Sequence, residues 1–278
     1  SELNTVRHQE IPFNDYARQP LSPNQLSQLG PTISYGDVNG DGQTDLLVGG
    51  ASGQATRCLL SENGTLRALS IPAFDRDADC EDLGMLLFDA DSDEDLDLYV
   101  VSGGVEFEPD DPLLQDRLYL NDGKGNFSRA TDRLPKMITS GEAVCAADFD
   151  RDGDLDLFVG GRVVPGQYPI TPLSYLLKNN AGTFSVGSEE MAPQIPKVGL
   201  VTAAAAVDIN RDGWQDLLVA TEWGSIKLFQ NDQGQLVDIS KQSGLSNLLG
   251  WWTSVVPCDV NADGAMDLAV GNFGWNTK

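Results

Sequence analysis

DFDRDGDLD, residues 148–156, puts aspartate at its first, third, fifth and ninth positions and glycine at the sixth. Carboxylates packed this tightly repel one another unless a cation lies among them. Oxygen donors without histidine or cysteine suit a hard ion, Ca2+ ahead of Mg2+. Alternate side chains aimed inward from a tight turn resemble the start of an EF-hand loop, and the glycine permits the bend. Here the loop closes with aspartate at position nine, not glutamate at twelve. No helical pattern flanks it, so it is calcium-loop-like without being an EF-hand.

The pattern recurs in DVNGDGQTD (37–45), DADSDEDLD (89–97), DINRDGWQD (208–216) and DVNADGAMD (259–267). Acidic turns that merely solvate a loop do not explain five copies in register. The expected side-chain ligands are Asp37, Asn39, Asp41 and Asp45; Asp89, Asp91, Asp93 and Asp97; Asp148, Asp150, Asp152 and Asp156; Asp208, Asn210, Asp212 and Asp216; and Asp259, Asn261, Asp263 and Asp267. Position seven would add a backbone carbonyl from Gln43, Asp95, Asp154, Trp214 or Ala265. That allows up to five Ca2+ ions. The second loop departs from the rest, because Glu94 stands where the others have glycine and must bend without its freedom.

These loops hold 20 of the 42 acidic residues in a chain of 278, against 18 Lys and Arg and a formal charge of −24. Such a polyanion is a poor partner for nucleic acid or anionic lipid, which are bound through Lys and Arg. Hydrophobic residues make up 41%, enough for a core, and no apolar run approaches the roughly 18 residues of a membrane-spanning helix. The single histidine, His8, leaves little room for histidine-based triads, zinc sites or acid–base chemistry.

Successive loops start 52, 59, 60 and 51 residues apart, a spacing typical of repeat architectures. Each runs into a continuous apolar strand: DLLVGG, DLYVVSGG, DLFVGG, DLLVA or DLAVGN. Further on come RCLLSENGTLRAL (57–69), RLYLNDGKGNF (117–127), SYLLKNNAGTF (174–184) and SIKLFQNDQGQL (225–236), each an apolar run, a turn rich in Asn, Asp and Gly, and a second strand. One unit is therefore strand, cation loop, strand, hairpin. The expected fold is all-β: four-stranded antiparallel sheets arranged as the blades of a β-propeller, about five in number. The fifth unit has its loop and following strand but no hairpin before Lys278. Either residues 1–30 fold back to complete it, with TVRHQEI (5–11) as a strand, or the ring is incomplete or the chain a fragment; the second is favoured. The chain divides into an N-terminal segment, 1–30, and the repeats, 31–278.

The loops are of the FG-GAP/VCBS type, best known from the calcium-bearing propeller of integrin α subunits. More narrowly, GDVNGDGQTDLLVGGASGQA, FVGGRVVPGQYP, ATEWGSIKLFQN and GWWTSVVPCDVNADGAMDLAVGNFGWNTK resemble bacterial VCBS-repeat proteins of the cartilage-acidic-protein (ASPIC/UnbV-associated) group. The resemblance covers roughly residues 30–278. It implies a calcium-stabilised propeller, exported to the cell surface, periplasm or exterior. It also implies a structural metal, an adhesion or recognition role toward a protein or glycan, and no enzymatic activity. The rival reading is a polysaccharide-active enzyme with a site in the propeller funnel. It requires a cluster of Arg, Tyr and carboxylates from different blades, away from the metal loops. Glu81, Glu106, Glu108, Glu142 and Glu222 are the acids left over, and nothing in the sequence singles out a pair among them.

Cys58 and Cys80 are close enough in the chain to pair, whereas Cys145 and Cys258 read as buried free thiols. The tryptophans at 214, 223, 251, 252 and 275 read more simply as packing between units than as a sugar-stacking platform.

Overall fold

The computed structural model describes residues 6–274. Four sheets follow the expected strand–loop–strand–hairpin plan. The first is β1 (Ile33–Gly36), β2 (Asp45–Val48), β3 (Arg57–Glu62) and β4 (Thr65–Leu69). The second is β5 (Asp82–Phe88), β6 (Asp97–Ser102), β7 (Arg117–Leu120) and β8 (Ser128–Arg129). The third is β9 (Ser140–Ala147), β10 (Asp156–Val163), β11 (Tyr175–Lys178) and β12 (Ser185–Val186). The fourth is β13 (Leu200–Val207) and β14 (Asp216–Glu222), followed after the short β15 (Gly224–Ser225) by β16 (Lys227–Asp232) and β17 (Gln235–Asp238). β15 pairs with β18 (Leu249–Gly250), and the fifth sheet has two strands, β19 (Trp252–Cys258) and β20 (Asp267–Asn272). Every cation loop joins the first two strands of its sheet.

The chain forms two compact units. One comprises residues 1–141, 163–170 and 180–184 and holds the first two sheets; the other, with the remaining residues, holds the fourth and fifth sheets and most of the third. In the first unit Val38, Leu47, Leu60, Phe74, Met85, Leu98, Val100 and Tyr119 form one buried cluster. In the second, Phe149, Phe158, Leu176, Val201, Leu217 and Phe229 form another, and Val207, Leu218, Leu228, Trp252 and Val255 a third. Removing a fully buried aromatic such as Phe158 typically costs about 3–5 kcal/mol.

A buried ion pair lies within the second sheet, and its aspartate also bonds to residues flanking strands of the first. Arg117, 1% exposed, meets Asp82, 2% exposed, at 2.5 Å. The other Asp82 oxygen accepts from the Gly50 N–H at 2.8 Å and the Thr56 hydroxyl at 2.6 Å. Nothing of this pair was legible in the sequence, because its members lie 35 residues apart.

The structure departs from the sequence reading at the N-terminal segment, at Cys145 and Cys258 and at the last strand, and it decides the open pairing of Cys58 and Cys80. Residues 6–30 contribute no strand to any sheet; TVRHQEI, whose Thr5 lies outside the described residues, is irregular, and the segment's one helix is the single turn α1 (Asp15–Arg18). Cys58 and Cys80 are both buried as free thiols, not joined, and burial pushes the Cys58 thiol up to about 12. Cys145 and Cys258 are free but only half-buried. The apolar runs after the first four loops are buried as their composition predicts, whereas β20 is half-buried to exposed along its length. Among the described residues no third strand pairs with β20. No helix among them is long and apolar enough to cross a membrane.

Candidate metal centres

Each loop is organised by hydrogen bonds from its own backbone. In the third, one Asp148 oxygen accepts from the Asp152 N–H at 3.2 Å and the other from the Gly153 N–H at 3.1 Å. Asp150 accepts from the Asp152 N–H, and Asp152 from the Asp154 N–H. The same bonds from positions five and six onto position one recur around Asp37, Asp89, Asp208 and Asp259. Position six is left-handed throughout: Gly42, Gly153, Gly213 and Gly264 at φ +80 to +98°, and Glu94 at +73°. A β-carbon imposes strain there, and Glu94 accepts it.

Position nine is tied to the sheet as well as the loop. Asp97 is buried and accepts from the Ala90 N–H at 2.9 Å and, through its other oxygen, from the Asn121 N–H of the hairpin at 2.8 Å. Asp45 takes Val38 and Ser61, Asp156 takes Phe149 and Asn179, and Asp216 takes Ile209 and Asn231. Asp267 accepts from Val260 at 3.1 Å, with no third strand beside it among the described residues.

The hairpin asparagines, turn formers by sequence, also tie neighbouring loops together. The Asn121 amide donates to the carbonyls of Leu96 in its own loop and Val38 in the preceding one. Asn231 does the same to Gln215 and Phe149. Their signal was a shared placement, asparagine closing the third strand in YLN, LKN and FQN. Arginine at position four adds a second link in the second unit. Arg151 lies over the Trp214 ring at 4.2 Å, and a β-carbon on Gly213 would come within 2.3 Å of its guanidinium. Arg211 covers Gly264 likewise.

Carboxylate oxygens of Asp89, Asp91 and Asp97 lie within 4.8 Å of one another, as do those of Asp148, Asp150 and Asp156. These are the two loops with aspartate at position three; asparagine there lowers the charge of the other three. The donor set fits a hard cation. Asp91 Oδ1 is buried without a hydrogen-bond partner, and burial together with Asp93 and Asp89 raises its pKa. In the third loop the Lys178 ammonium lies against Asp150 and 3.5 Å from Asp152, supplying positive charge where an ion would. In these two loops the residues brought together to hold a hard cation are those at positions one, three and nine; Asp93 and Asp152, at position five, lie outside both clusters. A bound ion would supply charge neutralisation there, not reactivity.

Away from the loops, Arg162 in β10 lies between Glu142 in β9, at 2.7 Å, and Glu222 in β14. The sequence had not separated these acids from the rest, and only folding places both on one guanidinium. Beyond Glu222, Trp223 (61% exposed) packs on Trp251, and Trp251 stacks on Phe273, each pair at 4.9 Å between ring centres. Trp252 is buried, and Trp275 lies outside the described residues.

The FG-GAP-like repeat pattern matches residues 37–100, 89–159 and 208–270. The chain is 33% identical over 156 residues to phosphatidylinositol-glycan-specific phospholipase D of Bos taurus, an alignment covering 48% of this chain and 18% of that enzyme. The chain therefore spans under a fifth of that relative. Among solved structures it is similar to the V. cholerae biofilm matrix protein Bap1 (16% identity, TM-score 0.39, 89% of this chain and 35% of Bap1). It is also similar to the exotype rhamnogalacturonan lyase YesX (12% identity, TM-score 0.42, 80% of this chain and 47% of YesX).

Proposed function

The chain belongs to the FG-GAP-like repeat family, and from that premise we propose that it is a calcium-stabilised, propeller-type recognition module working outside the cell. Its partner is a protein or glycan, its metal is structural, and it carries no catalytic activity of its own. The observation that carries the metal assignment is the convergence of Asp89, Asp91 and Asp97, with an orphaned oxygen on Asp91. Oxygen-only loops of moderate charge suit the millimolar calcium of extracellular surroundings. Arg162 with Glu142 and Glu222, drawn from two sheets and away from the loops, supplies the arginine and carboxylates that the enzymatic rival requires and keeps that rival as the alternative reading.

A site bound only in the native state adds about 2.7 kcal/mol at a hundredfold excess of ion over Kd. Thermal melting in excess chelator should fall well below the calcium-loaded value and recover with Ca2+ better than with Mg2+. An unchanged melt would remove the metal assignment. For the partner, glycan and protein arrays probed with the calcium-loaded chain should give calcium-dependent binding; turnover of an arrayed polysaccharide would favour the enzymatic rival.

A further inference from the structure

Glu81 is the acid whose surroundings are least explained. It immediately precedes β5, is 1% exposed, and neither of its carboxylate oxygens has an N–H or hydroxyl donor, its one side-chain partner being the Glu106 carboxylate. A buried carboxylate normally has a cation or several donors, because an unpaired charge out of water is costly. The nearby guanidiniums are engaged elsewhere. Arg117 pairs with Asp82. Arg18, in α1, donates to the carbonyls of Val105 and Glu106 and pairs with Glu108 at 3.0 Å.

What faces Glu81 is a second carboxylate. Glu81 Oε2 and Glu106 Oε2 converge on Gly104, where a β-carbon would lie 2.6 and 2.7 Å from them. Glycine at φ +97° leaves that space open. Glu106 Oε2 accepts the Val105 N–H at 2.8 Å. The cradle is therefore faced by two hard oxygen atoms, of which Glu81 Oε2 has no N–H or hydroxyl donor.

We propose that Glu81 and Glu106 form a cation site over Gly104, separate from the FG-GAP loops, that takes a hard divalent ion of the calcium or magnesium class. A single shared proton would satisfy one Glu81 oxygen and leave the other bare. A divalent ion can engage both while offsetting the charge of the pair. The site lies at the end of β5 opposite the Asp89 loop and does not depend on the loops' binding metal.

The test is the number of Ca2+ ions held by the full chain in native mass spectrometry, for wild type, Glu81→Gln, Glu106→Gln, Asp150→Ala and the Glu81→Gln/Asp150→Ala pair. Each glutamine variant should hold one ion fewer than wild type, and the pair two fewer. In chelator the glutamine variants should melt at or above wild type, because a neutral amide replaces a repelled carboxylate. If the loops bind nothing, wild type should still hold one ion that Glu81→Gln removes, so the two readings fail separately. Unchanged stoichiometry in both glutamine variants would overturn the site in favour of a shared proton. So would a lower melt of Glu81→Gln in chelator, which would show that a protonated Glu81 holds the fold.

Discussion

Replacing Glu94 with glycine should stabilise the protein, although it removes a charged residue from a proposed metal loop. Glu94 holds a left-handed backbone at φ +73°, where an ordinary residue pays about 1–2 kcal/mol. Glycine removes that strain but adds about 0.4–1 kcal/mol of unfolded-state entropy. Its backbone bond survives, since the N–H that donates to Asp89 at 3.0 Å belongs to any residue. The net gain is roughly 0.5–1 kcal/mol, or about 1–4 °C in Tm for a chain of this size. Glu94 is also one of six acids between residues 89 and 97, so the gain should be larger in chelator than in calcium and should shrink with added salt. Scanning calorimetry in calcium and in chelator, at low and high salt, measures all three. Gly153→Ala is the matched control. An added β-carbon there meets nothing within 4 Å, so its cost of about 1 kcal/mol is conformational and opposite in sign. A fall in Tm for Glu94→Gly, or the loss of one bound ion, would refute the strain argument and show the Glu94 carboxylate to be a ligand.

Position nine should separate complete sheets from the fifth. Asp216→Ala strands the N–H groups of Ile209 and Asn231 in a buried setting and should cost about 2–5 kcal/mol in chelator, whereas Asp267→Ala, half-buried and bonded to Val260, should cost no more than about 1; equal losses in denaturant unfolding would contradict this. Asp116, buried and bonded by the Tyr99 hydroxyl and the Ser102 N–H, is pushed by burial from the ordinary 3.8 up to about 7. The folded state then binds the extra proton between about pH 4 and 7. Its stabilising contribution is complete below that window and is lost as pH rises through it, by at most about 1.4 kcal/mol per pH unit. Asp116→Asn should remove that part of the slope from urea unfolding measured between pH 4 and 7; parallel profiles for variant and wild type would rule the titration out.

The sequence by itself determined what is local. Each cation loop closes through bonds spanning two to seven residues, so the spacing of aspartates was enough to place the loop, the bend and the strands it joins. The hairpins were legible for the same reason. Alternatives stayed open where contact partners lie far apart. Cys58 and Cys80 are near in sequence, yet the fold keeps both as buried free thiols. The strand expected in residues 5–11 has no ladder among the described residues, because a strand-prone run needs a neighbour to pair with before it becomes a strand. Asn121 and Asn231 looked like turn residues until folding brought their amides onto carbonyls more than eighty residues away. The leftover glutamates carried no pattern at all. Glu142 and Glu222 became a pair only when Arg162 came between them, and Glu81 met Glu106 only when β5 and β6 brought the two ends of a hairpin together over Gly104. Local hydrogen bonding repeats with the sequence and can be read from it. The charge left when distant carboxylates lose their water depends on which surfaces the packed sheets bring together, and that is decided in three dimensions.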